Sequence, residues 1–153
     1  MLQPEEQHSK EAKLKKFPTH IELRVNDEKI IPIEVNPLRF AGWCLTDIAY
    51  YAYGINPYEY FMGEKEPNWA EIAGKNKNIY AFVMSEVPQD TERDKIKGFD
   101  FEKFKSDLKA EIIDVRNYDF RVKPMFNSLF VKAKTYDDIK HILKLNIKNY
   151  IRF

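Results

Sequence analysis

The chain is poor in the residues that usually announce a site. It has a single cysteine, Cys44, among 153 residues. That excludes an internal disulfide framework and leaves a buried small hydrophobe in a reducing, cytoplasmic setting as the expectation. Its three histidines, His8, His20 and His141, are far apart, so no metal centre is expected. The five glycines stand alone at 42, 54, 63, 74 and 98. A phosphate-cradling loop needs glycines in close series, and there is none. No serine sits in a nucleophile elbow, and the paired acids Glu64 and Glu66 read as a solvated polar turn. These absences point away from an enzyme, and no cofactor is expected.

Long apolar runs are missing too. The stretch from Phe40 to Tyr53 is interrupted by Thr46 and Asp47 and is shorter than the roughly 20 residues a membrane-crossing helix needs. The first residues, MLQPEEQHSKEAKLKK, mix acids and bases and lack an apolar block. Residues 1–18 are therefore expected to form a mobile arm, neither signal peptide nor anchor, and no membrane partner is expected.

Net charge is only +1, but it is unevenly spread. From Phe101 onward twelve Lys and Arg face seven Asp and Glu, against thirteen and seventeen before that point. The imbalance points to an acidic partner for the second half.

What is present is pattern. His20-Ile-Glu-Leu-Arg-Val alternates at period two, and Lys29-Ile-Ile-Pro-Ile-Glu-Val follows a polar turn, which predicts a β-hairpin. Asn36-Pro37 has the form of a helix start and Gly54 of a stop. They bound a predicted helix of about eighteen residues that is apolar on most of its circumference. Asn56-Pro57 and Pro67-Asn68 open short aromatic helical segments, so 19–77 reads as a hairpin plus an aromatic-rich helical region.

Residues 78–153 read as strand, helix, strand, strand, helix, strand: 79–84, a helix from Asp100 carrying Phe101, Phe104, Leu108 and Ile112, strands 114–123 and 128–134, a helix capped by Thr135, and a closing strand 146–153. The expected fold class is α+β, with a C-terminal ferredoxin-like βαββαβ sandwich preceded by the hairpin and the long apolar helix, the two regions forming one compact body.

Alternation then sorts one sheet face as Arg121, Lys123, Phe130, Lys132, Lys134, Lys148, Tyr150 and Arg152, with Tyr80, Phe82 and Met84 beside them. Cations around flat rings suit single-stranded nucleic acid, the cations neutralising phosphates and the rings stacking on bases. The stretch LFVKAKTYDDIKHILKLN, Leu129 to Asn146, resembles the third strand and second helix of the RNA recognition motif. Phe130 matches one of that family's three aromatic positions, while Ser128 and Ala133 occupy the others. Lys123-Pro-Met-Phe followed by Phe130-Val-Lys is similar, more faintly, to the N-terminal domain of NusG-type transcription factors.

The expectation is therefore a small non-catalytic nucleic-acid-binding protein, RNA-binding by keyword. The alternative is a protein-interaction or assembly module, viral or accessory, that buries Trp43, Tyr51, Tyr53, Tyr58, Tyr60, Phe61 and Trp69 against a protein partner.

Overall fold

Asn26 makes the first turn: its side-chain oxygen accepts hydrogen bonds from the backbone N–H groups of Glu28 and Lys29, the local bonding that favours Asn at turns. On either side run β1 (Thr19–Val25) and β2 (Ile30–Pro37), paired antiparallel as a two-stranded ribbon. The register shifts between Glu22 and Leu23. A bulge there suits the strand that carries Pro32, which has no N–H to give to a ladder.

The computed structural model describes residues 16–153; most of the expected N-terminal arm lies outside the described residues. The chain is a mixed α and β structure with antiparallel sheets and, among the described residues, five helices. None of these is long and apolar enough to cross a membrane. It divides into two units, one of 16–46 with 56–66, the other of 47–55 with 67–153.

The segment 36–54 departs from the expected eighteen-residue helix. Asn36 and Pro37 do not start it; they finish β2, paired with His20 and Thr19. Leu38 and Cys44 both take positive φ, 59° and 64°, a left-handed backbone that no α-helix accommodates. The helix that does form, α1 (Leu45–Tyr53), is nine residues long. It stops where expected, at Gly54, whose φ of +70° costs a residue without a Cβ little. Cys44 is buried, but in the turn before α1 and not within a helix. Next, α2 (Pro57–Met62) starts as its sequence predicts, Asn56 accepting from the N–H groups of Tyr58 and Glu59. Phe40 packs on it, its ring 4.4 Å from that of Tyr58 and 5.3 Å from that of Phe61.

In the second unit α3 (Trp69–Ala73) precedes a three-stranded antiparallel sheet in the order β3 (Ile79–Glu86), β6 (Met125–Ala133), β5 (Glu111–Asn117). Leu129 and Val131 of the central strand are fully buried. With Phe104 and Leu108 from the α4 segment (helix Phe101–Asp107), Ile142 of α5 (Tyr136–Ile142) and Tyr150 they form the main core. Asp100 and Thr135 cap these helices, as their sequences predict, each accepting a hydrogen bond from the backbone N–H three residues on.

The ferredoxin-like expectation fails at its closing strand. Residues 147–150 form a 3₁₀ turn, with Asn146 accepting from the Lys148 N–H. The remaining β7 (Ile151–Arg152) pairs with β4 (Gly98–Phe99) in a separate two-stranded sheet. Nor does the strand expected at 114–123 exist as such. It begins earlier, taking Ile112 out of the helix, and ends at Asn117; Asp119 then accepts from the N–H groups of Val122 and Lys123 in a turn.

Candidate functional site

Cross-strand partners in an antiparallel pair share a face, so the β3–β6 register places Tyr80, Phe82, Met84, Ser128, Phe130 and Lys132 together. From β5 the same face receives Glu111, Asp114 and Arg116. This is the face on which nucleic-acid contacts are expected, and it is covered. Phe130 is only 1% exposed, lying 5.0 Å from the Tyr51 ring, 5.1 Å from Phe82, and under the Arg116 guanidinium at 4.9 Å. Tyr51 sits on α1 and donates to Asp114 at 3.2 Å, and Arg116 forms an ion pair with Asp47, also on α1. Burial first, then the neighbouring Asp114 carboxylate, raises the Tyr51 pKa above its ordinary value.

The other expected contacts are dispersed. Arg121 and Lys123 occupy the turn after β5, over the rings of Phe120 and Tyr118. Lys132 pairs with Glu111 at 2.7 Å, which raises its pKa through that hydrogen bond. Lys134 is exposed beyond β6. Lys148 pairs with Asp90, and Arg152 reaches the Phe99 carbonyl from β7. Tyr150 is 3% exposed and belongs to the core. Its hydroxyl donates to Asp107 at 2.9 Å, and burial followed by this bond raises its pKa. The two rings meant for stacking are thus interior; of the cations, Lys132 and Lys134 line one cleft, while Arg121, Lys123, Lys148 and Arg152 belong to other elements.

The aromatic set of the alternative reading is also divided. Trp43, Tyr53, Tyr58, Phe61 and Trp69 are exposed to differing degrees, Tyr60 is half-buried, and Tyr51 is spent on Phe130. Among the described residues no three His, Cys, Asp or Glu side chains gather to hold a metal ion.

The ribbon carries a grouping that residue types alone did not single out. Pairing puts Ile21, Leu23, Val25, Ile30, Pro32 and Val35 on one face and His20, Glu22, Arg24, Ile31, Glu34 and Asn36 on the other. On that second face Glu22 stands directly opposite Glu34, and His20 opposite Asn36. Like charges facing one another across a ladder repel. One step along, His20 Nδ1 and Asn36 Nδ2 are buried atoms without a hydrogen-bond partner among the described residues, a costly condition for polar groups. The signal was present as period-two alternation in both strands. Reading Asn36-Pro37 as a helix start removed Asn36 from the ribbon and concealed the pairing.

Comparison with known proteins gives one positive finding. The family model of the ATP-grasp domain matches residues 3–47, less than a third of the chain, and the described part of the match includes the whole ribbon. No curated protein and no solved structure matches the chain. The match overturns the expectation of a non-catalytic nucleic-acid-binding protein, with its RNA-binding and viral keywords and its interaction-module alternative. It points instead toward ATP-dependent ligase chemistry, so the expectation of no enzyme is corrected as well.

Proposed function

We propose that this chain is related to the ATP-grasp ligases and that the polar face of the ribbon serves a magnesium-bound nucleotide. The observation that carries the reading is the coincidence of the matched segment, 3–47, with the strands that oppose Glu22 to Glu34. Magnesium is commonly held by one or two carboxylates together with substrate phosphates and water, not by an all-protein cage. Two carboxylates without a third ligand are therefore enough for a shared site.

The residues fit such a group. A divalent cation relieves the Glu22–Glu34 repulsion, and phosphate oxygens are suitable acceptors for the unpartnered Asn36 amide N–H. Glu22 and Glu34 would hold the metal, Asn36 and His20 would orient the phosphates, and Arg24 on the same face would add positive charge. A bound nucleotide supplies the phosphoanhydride whose cleavage drives bond formation. With no glycine-rich loop in the chain, side chains and metal take over the cradling.

Manganese in place of magnesium tests this reading, because its unpaired electrons broaden nearby nuclear resonances. With ATP present, the His20, Glu22, Glu34 and Asn36 signals should broaden first, and Glu22→Gln with Glu34→Gln should abolish the effect. Broadening that spares the ribbon contradicts the assignment.

A further inference from the structure

The cleft that Lys132 and Lys134 line belongs to the second unit and lies outside the matched segment 3–47. Its volume is about 300 Å³, at the small end for ligand sites. Three places in the chain meet there: Asn78 before β3, the junction of α4 with β5 at Lys109 and Ala110, and the junction of β6 with α5 at Ala133 and Lys134. The two alanines leave open the space between the charged side chains.

Those charges are not equivalent. The lining holds the ammonium groups of Lys109, Lys132 and Lys134 and the carboxylates of Glu111 and Asp138, a net charge of +1. Glu111 stands opposite Lys132 across the β5–β6 ladder and pairs with it at 2.7 Å. Asp138 is engaged in the cap of α5, where it accepts from the Thr135 hydroxyl at 2.7 Å. Lys109 and Lys134 are exposed and, among the described residues, make no ion pair. The excess positive charge therefore resides on two ammonium groups carried by different parts of the fold.

Lys109 holds its place against the preference of its backbone. It follows Leu108, the C-cap of α4, and its φ is 51°. This is the left-handed position that usually takes glycine, because a Cβ there crowds the neighbouring carbonyl oxygen. A lysine at that position brings an ammonium group to the cleft, and backbone strain of this kind gathers at ligand clamps.

We propose that this cleft binds a small phosphate ester, its dianionic phosphoryl group held between Lys109 and Lys134 with the Asn78 side-chain amide as a further donor. A phosphoryl group carries close to two negative charges and three strong acceptor oxygens, enough to engage both free ammonium groups at once. The volume leaves room beside it for a body of a few carbons. The site is separate from the ribbon and does not depend on the nucleotide reading.

Glycerol 1-phosphate is the probe, titrated into the intact chain without nucleotide or divalent ions, at constant ionic strength, and followed by backbone amide shifts. Saturable shifts at Asn78, Ala110 and Lys134 are expected at about millimolar concentration. Inorganic phosphate should bind severalfold more weakly, since it leaves the rest of the cleft empty. Lys134→Gln should weaken the ester about tenfold through the lost charged hydrogen bond, whereas Lys97→Gln, which removes an exposed charge elsewhere in the unit, should leave the affinity unchanged. Lys109→Gly should abolish the saturable shifts and raise the thermal midpoint, because it removes the ammonium group and relieves the left-handed backbone together. Its loss of binding then cannot come from loss of the fold. Shifts that stay linear up to about 10 mM, roughly ten times the expected affinity, equal weakening by Lys97→Gln, or undiminished binding by Lys109→Gly would overturn the proposal. Inorganic phosphate binding as tightly as the ester would overturn the assignment to an ester in favour of the free ion.

Discussion

Glu22 and Glu34 face each other directly across the two-stranded ribbon, two carboxylates one strand spacing apart, where like charges oppose pairing. No ion pair to either is present among the described residues. A pair of this kind lowers stability when empty and favours cation binding, and the two effects can be measured separately.

Glu22→Gln should therefore stabilise the metal-free protein while impairing its ligand binding. Removing one charge of the pair is worth a few tenths of a kcal/mol, so the thermal midpoint should rise by about 1–3 °C. Differential scanning fluorimetry without divalent ions reads it, and a lowered midpoint would show that Glu22 has a stabilising partner instead.

The contact of α1 with the sheet should be worth more through packing than through charge. Phe130→Ala removes a fully buried ring held by Tyr51 and Phe82 and should cost about 3–5 kcal/mol in denaturant unfolding. The Asp47–Arg116 pair is about one-third exposed on both sides. Its coupling in a double-mutant cycle should be about 0.5–1 kcal/mol after solvent screening. A coupling larger than the Phe130 effect would invert this ranking.

Alkaline pH should weaken the second unit through Tyr150. Burial and the bond to Asp107 raise its folded-state pKa above the ordinary 10.0, so the folded chain binds the proton more tightly than the unfolded one. That contribution is complete below about pH 10 and is lost as pH rises through the raised value. Tyr150→Phe should cost about 1 kcal/mol at neutral pH through the lost hydrogen bond and should flatten the stability decline above pH 10, followed by circular dichroism. An unchanged slope would mean that other groups carry the alkaline loss.

Much of the fold was legible where local chemistry decides it. Asn56, Asp100 and Thr135 cap helices because their side chains satisfy free N–H groups, and alternation assigned Leu129 and Val131 to the core and Phe130 to the opposite face. Errors arose where one signal has two uses. Asn36-Pro37 has the form of a helix start, but Asn also tolerates a ladder position and Pro can close an edge strand, and the pairing with His20 and Thr19 decided between them. The tail from Asn146 alternates like a strand, but the Asn146 side chain bonds the Lys148 N–H and winds it into a 3₁₀ turn. The candidate site was hidden for a related reason. Basic and aromatic residues were counted on the sheet face, whereas the ribbon's acids show their significance only once β1 and β2 are placed in register.

Calorimetric titration of the intact chain with ATP, in the presence and in the absence of magnesium, tests the central claim most directly. The account predicts saturable binding that requires magnesium and is weakened at least about tenfold by Glu34→Gln, as loss of a metal-holding carboxylate would be. Binding that is indifferent to magnesium and to Glu34, or no binding at millimolar ATP, would contradict it.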